Sequence, residues 1–153
     1  MKHRILYLLV AVLTGLALLS TTSCTSGRQQ QLESAVEAMN RDYPMPIDEG
    51  VTLQSINLDE QEVTFVFTIQ EAQMTNQITQ ESLEQWRPTF ITLFGTMVHE
   101  NPNIDQLFRL IRDTETVLCV QLVTMPSSAT YTIKFAAKDL ASILEVNRIP
   151  QAQ

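Results

Sequence analysis

Apolar and polar positions along this chain change period several times, and each change marks an element. Leu32, Val36, Met39 and Tyr43 recur at spacings of four, three and four, which lines one face of a helix over about Gln29 to Asp42. Pro44 and Pro46 end it, because the residue ahead of a proline is pushed out of the α region. From Val63 the period falls to two. Val63, Phe65, Phe67 and Ile69 alternate with Thr64, Val66, Thr68 and Gln70, as in a half-buried strand. The run before it starts as Val51 and Leu53 and shifts phase to Ile56 and Leu58, a slip that a β-bulge near Gln54-Ser55 absorbs. Asp59-Glu60-Gln61 supplies a polar turn, so the two strands are expected to pair as an antiparallel hairpin.

Leu83, Trp86, Phe90, Leu93 and Met97 form the strongest helical stripe, and Ser82 with Gln85 has the spacing of a capping box. Pro88 falls inside the stripe, so the helix either runs from about Ser82 with a bend, which the stripe favours, or begins only at Pro88. Asn101-Pro102 ends it. Asn103 with Gln106 opens another short helix, whose Ile104, Leu107, Phe108 and Ile111 face the core. Val117 to Thr124 is apolar on both faces and is expected as a strand covered on both sides, or nearly so. After a loop at Met125-Pro126-Ser127-Ser128, Tyr131, Ile133 and Phe135 alternate with Thr130, Thr132 and Lys134. A last helix over about Ala137 to Val146 packs Leu140, Ile143 and Leu144. The order α-ββ-α-α-ββ-α predicts an α+β domain: a four-stranded, mainly antiparallel sheet of two hairpins with helices on one face.

Ahead of these elements lies a fifteen-residue uncharged run, Ile5 to Leu19, behind the basic start Lys2-His3-Arg4. It is shorter than the roughly 20 residues a membrane-spanning helix needs, and it fits the apolar region of a secretory signal. The segment Leu19-Ser20-Thr21-Thr22-Ser23-Cys24 resembles the lipobox of bacterial lipoproteins, with Thr21 where that family usually has Leu. The resemblance implies cleavage before Cys24, a diacylglyceryl thioether on its sulfur and an acyl amide on its amine. Two or three such chains anchor a protein stably, where a single one binds marginally. An ordinary signal cut near Ser23 is the alternative. The expected division is a signal over 1–23, a flexible tether over 24–31, one domain over 32–147 and a tail over 148–153.

Removal of residues 1–23 leaves eight Lys and Arg against seventeen Asp and Glu, a net charge of −9 where the full chain carries −7. Such a surface repels nucleic acid and anionic head groups, so neither is an expected partner. The expected membrane contact is the lipid anchor at Cys24. Cys119 then remains as a lone thiol inside an apolar run, read as a small core residue.

Candidate chemistry is sparse. His99 is the single histidine after residue 23; beside Glu100 it could act as a base or ligand, and near a helix C-terminus its charge is also simply favourable. Asp48-Glu49 and Asp59-Glu60-Gln61-Glu62 lack the alternating ligand spacing of a calcium loop and read as solvated turns. Gly27, Gly50 and Gly95 are too few and too scattered for a phosphate-cradling loop or a nucleophile elbow, so no cofactor is expected, and one histidine with no cysteine cluster makes a poor zinc site, so no metal is expected. Ser127 and Ser128 have no activating neighbour in sequence. Trp86, Phe90, Phe94 and Phe108 line either an apolar pocket or, at helical spacing, the core. Thr64, Val66, Thr68, Thr130 and Thr132 form a weakly polar sheet face, half-solvated or available for docking.

The stretch from Asn40 through Tyr43-Pro44-Met45-Pro46-Ile47-Asp48-Glu49-Gly50 to Ile69, and more loosely Asn101-Pro102-Asn103 and the final hairpin, resembles small bacterial envelope proteins of uncharacterised function. No functional residues are defined for that group. Three readings compete. The first is a non-catalytic, membrane-tethered accessory module with an envelope protein as partner. The second is an envelope hydrolase completed around His99. The third is a carrier of an apolar molecule held between the sheet and the Trp86 helix. Thr25, where lipoproteins retained at the inner membrane often carry Asp, points to the outer membrane.

Overall fold

The computed structural model describes residues 26–145. Helix α1 occupies residues 26–40, so the stretch expected as a tether is helical from residue 26. Three strands follow, β1 (Met45–Asp48), β2 (Val51–Asp59) and β3 (Glu62–Gln70). After a 3₁₀ turn at Glu71–Gln73 come helices α2 (Gln80–Gln85), α3 (Arg87–Glu100) and α4 (Pro102–Asp113). Strands β4 (Val117–Met125) and β5 (Thr130–Phe135) and helix α5 (Ala137–Glu145) complete the domain. No helix among the described residues is long and apolar enough to cross a membrane.

The fold is α+β, as expected, but the sheet has five strands in the order β1-β2-β3-β4-β5 and is mixed. Two points of the four-stranded antiparallel expectation need correction. First, β1 is an added edge strand, antiparallel to β2, across a turn at Gly50 (φ +74°). A Cβ on Gly50 would lie 2.7 Å from Gln73 Cγ, so only glycine suits both the backbone and the space. Second, β3 and β4 run parallel, Glu62 beside Val117 through Gln70 beside Met125. The three helices of segment 71–116 form a crossover that returns the chain to the starting end of β3, and such a return makes neighbouring strands parallel. The β2–β3 hairpin is antiparallel, and its register shifts between Leu53 and Ser55, where the phase slip placed a bulge.

Helices cover one face of the sheet. Leu53, Ile56, Val63, Phe65, Phe67, Leu118, Val120, Leu122 and Ile133 belong to a single core with residues of α1, α3, α4 and α5. Phe65, Phe94 and Phe108 form its centre, with ring centroids 5.1 to 5.8 Å apart, and Phe90 and Phe135 extend it. The opposite face stays half-solvated: Thr64, Val66, Thr68, Gln121, Val123 and Thr132 are all partly exposed. β4 is therefore not buried on both faces, and only Cys119 is deeply buried on the open one.

The Ser82–Gln85 capping box is not the one that forms. Thr79 caps α2 instead, its hydroxyl accepting from Ser82 N at 3.1 Å while Ser82 Oγ accepts from Thr79 N at 2.9 Å. The helix breaks at Trp86, and Pro88 sits in the first turn of α3, where its missing N–H leaves no bond unmade. The break ends the continuous stripe. Phe90, Phe94 and Val98 carry the buried face of α3, and Trp86 is left 40 % exposed. Asn101 caps α4, which starts at Pro102, one residue earlier than expected.

Candidate functional site

Among the described residues a groove of about 990 Å3 lies between α1 and the α3–α4 junction, with a mixed polar and apolar lining. It exists because α1 presents two different sides. Leu32 and Val36 press into the core and Ala35 packs against its edge, while the flank carrying Gly27, Ser34, Ala35 and Ala38 lines the groove with small side chains. Met97 and Glu100 at the end of α3, with Ile104 of α4, make the far wall. Tyr43 and Met45, where the chain leaves α1 for β1, close one end. Three methionines, Met39, Met45 and Met97, line the groove, and Met45 is 37 % exposed. Its charged lining residues are Asp42 and Glu100, with no Lys or Arg among them. The Tyr43 phenol is held above its ordinary range, by burial first and then by the negative charge of Asp42.

The residues singled out in the sequence do not converge on this groove or on one another. Cys24 lies outside the described residues. His99 is exposed and makes no hydrogen bond or ion pair with a described residue, so no nucleophile or carboxylate completes it. Asp48 accepts a bond from Glu49 N at 2.8 Å in its turn, Asp59 and Glu62 flank the hairpin turn that holds Glu60, and Glu62 pairs with Lys134. Among the described residues no group of three or more His, Cys, Asp or Glu is placed to hold a metal ion. Phe90, Phe94 and Phe108 are buried against the sheet, so the space between the sheet and α3 is a packed core. The carrier reading loses the location it needed.

Cys119 is buried beneath the Glu62–Lys134 ion pair, its Sγ 3.8 Å from Glu62 Oε2. Burial pushes the thiol above its ordinary range and the Glu62 charge pushes it further, which disfavours the thiolate. The loop serines have a partner that the sequence hid. Ser127 Oγ donates to Glu71 Oε1, and Ser127 N donates to the same oxygen at 3.2 Å. Thr124 Oγ1 lies 2.9 Å from Ser127 Oγ. The hydrogen bond from Ser127 holds the Glu71 carboxyl below its ordinary range. A carboxylate so stabilised is a weak base, and the arrangement fastens the β4–β5 loop to the 3₁₀ turn after β3.

The groove itself was missed because Met39 and Met97 were read only as members of core stripes. The available signal was the small residues Ser34, Ala35 and Ala38 beside Met39, which leave one flank of α1 unfilled.

No family model matches the sequence, and no curated protein does. Two solved structures are similar in fold. One is the pilotin of the type 2 secretion system of Vibrio vulnificus, with a TM-score of 0.50, 13% identity, and coverage of 75% of this chain and 96% of that one. The other is a protein of Pseudomonas aeruginosa thought to be secreted, with a TM-score of 0.49, 14% identity, and coverage of 74% and 93%. At such identities the likeness concerns the fold.

Proposed function

We propose that the chain is a non-catalytic accessory module of the bacterial cell envelope, anchored through acyl chains on Cys24 and facing the periplasm or cell exterior from the outer membrane. Its partner is another envelope protein. The observation that carries the reading is the open groove lined by Met39, Met45 and Met97, with Asp42 and Glu100 as its charged residues. His99, exposed and without a side-chain partner among the described residues, gives the hydrolase alternative no support. The fold shared with a protein that serves as a pilotin supports an accessory role in the envelope. Helix α1 starting at residue 26 supports a membrane-proximal groove, because Gly27 of its lining stands three residues from Cys24.

The anchor is tested by Cys24→Ala in the full chain. The parent is expected in the membrane fraction, with a mature N-terminal peptide whose mass carries diacylglyceryl and acyl groups. The variant is expected to be soluble or unprocessed. A variant processed and membrane-bound like the parent removes the lipoprotein reading.

A further inference from the structure

A second concavity, of about 440 Å3, opens where the 3₁₀ turn after β3 meets the β4–β5 loop. Its volume lies in the range of small-molecule sites. Glu71 is the charged group of its wall, and among the described residues no Lys, Arg or His lines it. The Ser127 hydroxyl and amide both donate to Oε1 of Glu71. Thr124 Oγ1 backs this clamp, 2.9 Å from Ser127 Oγ. The carboxylate is therefore held ionised and in place, with Oε1 committed and Oε2 outside the Ser127 clamp. Asn76 and Gln77 add side-chain amides, while Met74, Ile78 and Tyr131 supply apolar and aromatic wall.

These features select among ligands. An anion is repelled by Glu71. A neutral molecule lying over Glu71 would strip water from a charged oxygen without returning a charge. A metal ion needs several hard ligands, and no group of three or more His, Cys, Asp or Glu is so placed among the described residues. A guanidinium pairs best with both oxygens of a carboxylate at once, and Ser127 already holds one of them. A compact ammonium needs a single carboxylate oxygen. Its remaining N–H groups suit the carbonyls of Asn76 and Gln77, and an aromatic ring such as that of Tyr131 also attracts a cation.

We propose that this pocket binds a small organic ammonium, a primary amine carried on a short apolar or aromatic body. The ammonium pairs with Glu71 Oε2, and the body lies against Met74, Ile78 and Tyr131. Ser127 is a positioning residue, since it fixes the carboxylate that the amine meets. The pocket shares no lining residue with the groove beside α1, so it does not depend on what covers that groove.

The experiment titrates the isotope-labelled, purified full chain at neutral pH with phenethylamine and follows its amide resonances. Phenethyl alcohol, phenylpropanoate and phenethylguanidine, of similar shape but neutral, anionic or forked, are titrated in parallel. Support consists of saturable shifts from the amine gathered at Glu71, Asn76, Ser127 and Tyr131, with an affinity at least tenfold above that of the alcohol and the carboxylate. Glu71→Gln should weaken the amine at least tenfold while resonances remote from the β4–β5 loop stay in place. The isosteres are read on the unaltered chain, so the test holds even where Glu71→Gln loosens that loop. Equal binding of the alcohol overturns the proposal, as does tighter binding of the guanidine or an amine affinity that Glu71→Gln leaves unchanged. Shifts spread to Glu33 and Glu37 of α1 would reveal attraction by the acidic surface alone and also overturn it, as would the lack of any saturable shift from the amine.

Discussion

Glu71 shows what a single carboxylate does when a loop closes onto it. Its acceptor atom takes the Ser127 hydroxyl and the Ser127 amide, so the charged form is favoured in the folded state, chiefly by the hydroxyl. Thr124 adds a further bond in the same direction. The folded carboxyl therefore titrates below its ordinary value of 4.5. A group depressed in this way contributes stability above its unfolded value and loses it as pH falls through the folded one. Wild type should melt higher than Glu71→Gln at neutral pH, with the difference shrinking as pH drops from about 4.5 and vanishing at lower pH. Thermal melts of both proteins across pH 7 to 2 measure it. A difference that persists unchanged into acid would mean that shape, not charge, holds the loop. The sequence concealed this contact because 56 residues separate its partners. Ser127 in isolation reads as an unactivated loop serine, and only the parallel alignment of β3 with β4 brings the two strand ends together.

Among the elements, the strand edges are closed by one recurring device. On β5, the Gln80 amide gives its NH₂ to Thr132 O at 2.7 Å and accepts from Thr132 N at 3.3 Å, while Arg87 donates to Lys134 O at 2.8 Å. On β2, beyond the reach of β1, Asn40 donates to Ile56 O at 2.6 Å and accepts from Ile56 N at 2.8 Å. A side-chain amide thus stands in for a neighbouring strand, and an open edge that could pair with another chain is blunted. Short β1 carries Pro46, which has no N–H to offer. Gln80→Ala should expose the Thr132 amide, with hydrogen exchange there at least tenfold faster and a stability loss of about 1 kcal/mol. Unchanged exchange at Thr132 would show that the α2 backbone, not the Gln80 amide, shields β5. The hairpins and the bulge were legible because period-two alternation and short turns are local signals. β1 was not, since Pro44 and Pro46 mimic a loop and all four of its residues are exposed, which leaves no alternation to read. The parallel pairing depends on where a three-helix crossover returns the chain, and no local pattern encodes that.

For the whole molecule, the question is whether α1, one wall of the groove, belongs to the cooperative core or merely leans on it. The sequence places Leu32 and Val36 on a buried face correctly, and both are nearly inaccessible within the same core as the sheet and the other helices. It could not show that the adjacent flank stays uncovered, because a groove is a distance between elements rather than a property of either. The bond that ties α1 to the sheet is the paired contact of Asn40 with Ile56 of β2. Ile56 is fully buried, so truncation of Asn40 leaves one buried donor and one buried acceptor without their partner. Each such group costs on the order of 1 kcal/mol or more, and Asn40→Ala should lose about 2 kcal/mol in all. If α1 is part of the core, that loss shifts one denaturant transition, with helical circular dichroism and Trp86 fluorescence moving together. If the helical signal instead falls first and the fluorescence later, α1 is an independently docked arm. The groove would then be a hinge that opens with its partner, not a preformed wall.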